Sequence, residues 1–392
     1  MSRSRTVLVA GAGIGGLAAS IALANSGFRV LVFERNYQPD TSGAGIQLSP
    51  NATRALKTLG VLDTLAPNAI EPSELVVGNA TSRAILATMP LGTAMQDKFG
   101  APYLVCLRAD LHNALAKIAG SHPDIELRYG SMLTDFASHS RGVTGQVERD
   151  RQTEEIIGAA LIGADGIRSQ IRTHLYPGTA PRHGGMSAWR ATIPMDALPE
   201  ETRGKKQVRV WLGPGAHLVH YPVADGKEIN LVAVTTDAQM TESWGEEAAA
   251  TDVVRRFSDW NEVPRGVIAS ASQFRRWSLY EAPLLSPWGK GVVTLLGDAA
   301  HGMFPFIAQG AASALEDAVT LADNLRGAED VASALRNYER NRMPRTTKMQ
   351  SAARNVGRIY HMPKPFNFGR DMVMERIGGA GLLRQNEWIY RG

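Results

Sequence analysis

Gly11, Gly13 and Gly16 fall in the spacing G-x-G-x-x-G directly after the apolar run Thr6–Ala10. In that context each glycine has its own task. Gly11 permits a tight turn, Gly13 lets a phosphate approach the backbone, and Gly16 allows close contact between helix and strand. The following helix offers unpaired N–H groups and a positive dipole end, which suits a pyrophosphate. Glu34 closes the next apolar run about 20 residues on, where a carboxylate can accept from a ribose hydroxyl. This unit reads as a dinucleotide grip, open to either a nicotinamide or a flavin dinucleotide.

Two further segments carry an aspartate to the end of an apolar run. Leu161-Ile162-Gly163-Ala164-Asp165-Gly166 is the first, although Asp-Gly is also common in plain surface turns. Thr294-Leu295-Leu296-Gly297-Asp298 is the second. Ligands of open α/β sheets gather at the carboxyl ends of the strands. Pro305-Phe306-Ile307-Ala308-Gln309 then leads into a helix beginning Gly310-Ala311-Ala312, whose N–H groups are placed to stabilise negative charge on a bound ring.

These residues need a scaffold. Residues 6–10 and 29–34 predict strands around a helix over 16–26, a βαβ unit that argues for a parallel sheet. Residues 51–59 and 109–119 predict helices. Residues 125–129, 142–148 and 154–158 predict strands of a smaller antiparallel sheet. From 187 to 236 the pattern becomes a meander, with strands at 189–193, 208–212, 217–223 and 229–234 between Gly/Pro/Asp turns. Residues 246–259 predict a helix, 291–296 a buried strand, and 312–326 and 331–343 two helices. The fold class is α/β, with the first sheet interrupted by an inserted antiparallel domain and completed near the C-terminus.

Bulk properties bound the function. The 392 residues allow two domains, and their 44% hydrophobic and 20% charged content is that of a globular chain. A net charge of +4 without a dense Lys/Arg run gives no argument for nucleic acid. Cys106 is the single cysteine, which excludes an intrachain disulfide and a cysteine metal cluster, and no metal site is predicted. The start Met1-Ser2-Arg3-Ser4-Arg5 carries no apolar leader, and no apolar run reaches membrane-spanning length. The expectation is a cytoplasmic monomer or homodimer without a membrane or nucleic-acid partner.

The motifs GAGIGG, ADGIRS and GDAAHGMFPFIAQGAASALEDA, in this order and spacing, resemble the single-component (class A) flavoprotein aromatic hydroxylases. The pattern is most similar to salicylate hydroxylase and 3-hydroxybenzoate 6-hydroxylase. The resemblance covers nearly the whole chain, including residues 43–56, 108–115 and 388–390. It implies a Rossmann-like FAD-binding domain of the p-hydroxybenzoate hydroxylase type (1–72, 101–180 and 285–392) and an antiparallel β-sheet substrate domain (73–100 and 181–284). It also implies non-covalent FAD, with NADH or NADPH as co-substrate and no separate domain for it.

Carried over position by position, the resemblance puts Gly13 and Ile14 at the pyrophosphate and Glu34 and Arg35 at the adenosine end. Arg108 is placed at the phosphate or ribose and Asp298 at the ribityl chain or pyrophosphate. Gly310, Ala311 and Ala312 face the flavin ring edge, and Gln47 is counted among the cofactor contacts. Asp165 and Arg168 belong to a segment associated with both FAD and the nicotinamide cofactor. Pro305 lies in the loop packed near the flavin, and His301 reads as a structural cap. The implied reaction inserts one atom of O2 into a small aromatic acid by way of a flavin C4a-hydroperoxide.

The substrate wall is expected in the meander. Alternation puts His217, Val219 and Tyr221 on one face of their strand and Leu218, His220 and Pro222 on the other. The resemblance makes His217 the base for a phenolic oxygen and Tyr221 a second contact; a structural His beside a packed Tyr is the alternative. Arg190 either pairs with a substrate carboxylate or faces solvent. Gln47 and Phe306 stand where 6-hydroxynicotinate 3-monooxygenases carry histidines, which disfavours that substrate. A reductase or dehydrogenase of the same fold, and a non-catalytic flavin-binding redox sensor, are the competing functions.

Overall fold

The computed structural model describes residues 5–38, 44–237 and 245–392. Gly43, the first residue of one resembling segment, lies outside them. Five parallel strands form the first sheet, in the order Val293–Leu295, Ala160–Gly163, Thr6–Ala10, Arg29–Glu34 and Ile125–Tyr129. The three middle strands are apolar runs buried on both faces, as a sheet with covered faces requires. The helix Ile14–Asn25 lies against the helix Gly310–Leu325, so the chain's beginning and its last third close one core.

An eight-stranded sheet forms the other layer. Its order is Glu246–Ala249, Gln273–Glu281, Arg182–Pro194, Glu228–Thr236, Ala216–Val223, Gln207–Gly213, Glu74–Asn79 and Ile85–Pro90. All neighbours run antiparallel except Gln207–Gly213 with Glu74–Asn79, which run parallel. The predicted meander is its centre. On its outer face Trp189, Trp211, Leu218 and Leu231 pack against Val253, Phe257, Trp260 and Val267. The inner face carries Ala188 and Val234, which pack on Phe304, Phe306 and Ala353 of the flavin-loop side.

Several expectations are corrected. Residues 125–129 pair in parallel with Arg29–Glu34 at the edge of the first sheet rather than joining an antiparallel one. Their half-exposed, mixed sequence reflects that edge position. The small antiparallel sheet is instead Gln152–Gly158, Gly142–Arg149 and Met132–His139. Residues 246–259 are not one helix. Glu246–Ala249 adds a strand to the edge strand Gln273–Glu281, and only Ala250–Arg256 is helical, because the unpaired sheet edge captures the first four residues. The helix expected at 331–343 runs on as Val331–Tyr360 straight through Pro344. A buried stripe of Leu335, Tyr338, Met349 and Ala353 holds it together across the missing hydrogen bond. The strand Gln273–Glu281 and the helix Phe366–Arg391 were not foreseen. Among the described residues no helix is long and apolar enough to cross a membrane.

Candidate active site

The glycine loop is tight for steric reasons. Gly11 has φ +103°, and a Cβ there would sit 2.5 Å from the Ala164 carbonyl oxygen. A Cβ on Gly16 would meet the Gly11 carbonyl oxygen at 1.9 Å. Gly13 has no atom within 4 Å of its Cβ position, so its backbone faces open space. Glu34 accepts from Ala12 N at 3.0 Å and from Asn36 N at 2.9 Å, and thereby braces the loop from the second strand. His112 donates through Nε2 to the Ala12 carbonyl at 2.8 Å, leaving a buried Nδ1 with no hydrogen-bond partner in the structure. His112 was not singled out in the sequence; only its place four residues after Arg108 hinted at it. Ile14 is buried, while Arg35 stands exposed beside Glu34.

The two aspartates differ. Asp165 uses Oδ2 to accept from Gln170 N at 2.7 Å and Ile171 N at 3.2 Å, capping a short helix, and its buried Oδ1 has no hydrogen-bond partner among the described residues. Burial raises its carboxyl, and Ser169 and those backbone donors only partly oppose the shift. Arg168 of the same segment lies over the Tyr280 ring. Asp298 is exposed in the crevice at the end of Val293–Leu295 and faces Gly310, whose Cβ position is 3.8 Å from Asp298 Oδ1. Desolvation by the packed atoms around it raises its carboxyl, with Asp317 adding to the shift, while His301, Arg108 and Arg172 pull it back. Arg108 heads its helix and donates its backbone N–H to Ala44 O at 2.7 Å.

Below Asp298 a buried brace fixes the turn. Asp317 accepts from Gly297 N at 3.0 Å, from Arg342 Nε at 2.7 Å and from His301 Nε2 at 2.5 Å. Burial alone raises the Asp317 carboxyl, but His301 and Arg342 outweigh it and bring it to about 2. His301 thus holds Asp317 in place beneath the turn. The helix Gly310–Leu325 starts without a side-chain cap, as does Ile14–Asn25. Gln309 turns away from the first terminus, accepting from Asn51 Nδ2 at 3.0 Å and donating to Ser49 Oγ at 2.8 Å. Gly310 and Ala311 are partly open and Ala312 is buried, so Ala312 offers only its backbone N–H.

The wall opposite comes from the inner face of the large sheet. His217 and Tyr221 share that face, and His220 points the other way, accepting from Trp211 Nε1 at 3.3 Å. Burial and Arg209 lower the His220 imidazole to about 3. The His217 ring meets Phe306 and Tyr360 edge to face at 5.4 and 5.2 Å, and its Nδ1 lies 2.7 Å from His361 Nε2. Burial first, and His361 second, hold its imidazole well below the usual range, so the ring is neutral at pH 7. Tyr103 donates to Gln47 Oε1 at 2.7 Å, and Gln47 also borders Tyr221. Gln47 thus stands between Tyr103 and Tyr221. Burial raises the Tyr221 hydroxyl and Arg190 lowers it.

Arg190 lies on the inner face, in line with Ala188, and not on the solvent side. Its guanidinium stacks on Trp277, its Nε is buried without a hydrogen bond among the described residues, and burial disfavours its charge, with Tyr221 opposing and Arg108 adding to the effect. Pro305 is exposed and opens the turn Pro305–Ile307, which drives Phe306 into the wall beside His217. Tyr360 and His361 were missed because the long helix was expected to end near Pro344. The residues suit a flavin dinucleotide: two uncapped helix N-termini, an open glycine backbone, and a carboxylate facing the second terminus.

Comparison with known proteins agrees. A family model described as "FAD binding domain" matches residues 4–353. The chain is 34% identical over 392 residues to a 3-hydroxybenzoate 6-hydroxylase of Klebsiella oxytoca, covering 100% of this chain and 97% of that one. It is also 34% identical to a 3-amino-4-hydroxybenzoate 2-monooxygenase of Streptomyces platensis over 387 residues, 98% of this chain and 95% of that one. A solved salicylate hydroxylase substrate complex superposes with TM-score 0.85 at 24% identity, covering 100% of this chain and 96% of that one. The chain is an FAD-binding oxidoreductase and belongs to the family of flavin-dependent aromatic hydroxylases.

Proposed function

We propose that this enzyme hydroxylates a small phenolic or heteroaromatic acid with NAD(P)H and O2, His217 serving the phenolic oxygen and Arg190 the carboxylate. The observation that carries the reading is the inner sheet face itself. It presents a neutral imidazole, a buried tyrosine and a half-buried arginine with an unpaired Nε, aimed at the side where the flavin segments lie. A guanidinium with a buried, unbonded Nε is costly, and a substrate carboxylate supplies a partner for it.

Bound FAD supplies electron transfer from the nicotinamide and oxygen activation. Gly13, the N–H groups of Gly310–Ala312, Asp298 and Glu34 hold it; the carrier roles of Arg35, Arg108 and Asp165 belong to the same proposal. Arg190 and Tyr221 fix the ring's orientation. His217, hydrogen-bonded through Nδ1 alone among the described residues, keeps Nε2 for the phenolic O–H. Taking that proton makes the ring more nucleophilic. Phe304, Phe306 and Tyr360 exclude water. The flavin part is 1–72, 101–180 and 285–392 and the substrate part 73–100 and 181–284, in line with membership of the two large sheets. The enzyme is a cytoplasmic monomer or homodimer, to be checked by fractionation and light scattering.

The ring's identity is narrower than relatedness reaches, since relatives named for different acids share the same 34% identity. Gln47 and Phe306, where 6-hydroxynicotinate enzymes carry histidines, favour a benzoate. The test is a panel of aromatic acids screened for stimulated NADH oxidation, with products identified by mass spectrometry. Stimulation by a hydroxybenzoate with one added oxygen supports the reading. NADH oxidation without any oxygenated product would turn it to a reductase.

A further inference from the structure

Resting on His217 as the base, we propose that His361 is a positioning and relay residue, which fixes the tautomer of His217 and carries its proton from the closed site toward solvent. The geometry starts from the 2.7 Å contact between His217 Nδ1 and His361 Nε2. Two neutral imidazoles at that distance share one proton, so one nitrogen donates and the other accepts. With the proton on His217 Nδ1, His217 Nε2 is bare and able to take a proton from the substrate. With the proton on His361 Nε2, His217 Nδ1 is the acceptor, its Nε2 carries the hydrogen, and it is no base.

The surroundings favour a relay over a resting imidazolium. His217 is 3% exposed and caged by Phe306 and Tyr360, so a charge left there is poorly solvated. His361 is only partly buried, at the C-terminal end of Val331–Tyr360, where the chain leaves the helix. Among the described residues the charged and titratable groups around the pair are few. Tyr221 lies on the strand of His217, Tyr360 precedes His361, and Arg370 approaches from the last helix. Arg370 is held by Asp371 at 2.7 Å and by the Tyr360 carbonyl at 2.9 Å. Burial and then Arg370 lower His361 to about 4, so the pair is neutral at pH 7.

The transfer balances without a lasting charge. The phenolic O–H gives its proton to His217 Nε2, the Nδ1–H of His217 passes to His361 Nε2, and the Nδ1–H of His361 passes to water. One proton has moved from substrate to solvent, and both rings end neutral in the opposite tautomers. The reverse transfer, returning a proton to the product oxygen, resets them.

The test uses FAD-loaded protein in wild-type, His361→Gln and His361→Ala forms, with flavin absorbance checking that each folds and binds. Nitrogen NMR of 15N-histidine-labelled protein, with no substrate added, reads the His217 tautomer. The wild type should carry hydrogen on Nδ1. His361→Gln should keep that tautomer, because its amide oxygen can still accept, and His361→Ala should lose it. Stopped-flow proton release on mixing with 3-hydroxybenzoate, read with a pH indicator, should slow at least 10-fold in both variants. An Nε2–H tautomer in the wild type, or one indifferent to His361→Ala, overturns the positioning role. Proton release as fast in His361→Gln as in the wild type, or absent in the wild type, overturns the relay. His217→Gln separates the two proposals: if its turnover is unchanged, the base assignment fails whatever the tautomer shows.

Discussion

The cofactor side and the substrate side of this crevice are built from different materials. The cofactor side is backbone: glycine φ angles, close carbonyl contacts and two uncapped helix ends, all within short stretches of sequence. The proposed substrate side is side chains: His217 and Tyr221 from one strand, Arg190 from another, Phe306 from a loop, and Tyr360 and His361 from the end of a long helix. A backbone grip tolerates almost any surrounding sequence provided its glycines stay. A side-chain wall can be retuned one residue at a time, which fits a family whose members are named for different ring acids.

That contrast makes sharp expectations. Gly16→Ala should be the most damaging change, because its Cβ would overlap the Gly11 carbonyl at 1.9 Å; loss of bound FAD, read from flavin absorbance after purification, is the expected outcome. His217→Ala should spare FAD binding and lower kcat about 100-fold or more, in steady-state assays with the best acid of the panel. Arg190→Gln should raise KM for a carboxylate substrate about 10-fold or more, and less for a phenol lacking the carboxylate. His220→Ala, on the outer face, should leave turnover within about 2-fold and cost only stability. A substrate wall reversed in this order, with His220 above His217, would break the assignment of faces.

Acid stability probes the brace beneath the cofactor side. The folded Asp317 carboxyl, at about 2, lies below its unfolded value. Its contribution is therefore fully present above about pH 4 and lost as pH falls toward 2, on the order of 2 kcal/mol. Asp317→Asn should be less stable at neutral pH and show a shallower acid transition, as followed by circular dichroism.

The same contrast explains what could be read from the sequence. The glycine loop, Glu34, Asp298 and the Gly310 helix start depend on local spacing, so their positions were legible, and so was the alternation that separates His217 from His220. Residues 246–249 were misread because a strand at a sheet edge is decided by its neighbour, not by its own pattern. His361 was invisible for a related reason: Pro344 signals an end to a helix that tertiary packing carries sixteen residues further. Gln47 shows a limit of another kind, since its hydrogen bond from Tyr103 joins residues 56 apart and no local spacing announces it.

The central claim is that a backbone-held flavin works beside a wall in which His217 prepares the ring. It is tested most directly by supplying 18O2, NADH and a responsive hydroxybenzoate to the wild type and His217→Gln, and measuring labelled product per NADH consumed. The account predicts one labelled oxygen per NADH in the wild type, and in the variant continued NADH oxidation with the label diverted into hydrogen peroxide. No label in the wild-type product, or an equal labelled yield from both proteins, contradicts it.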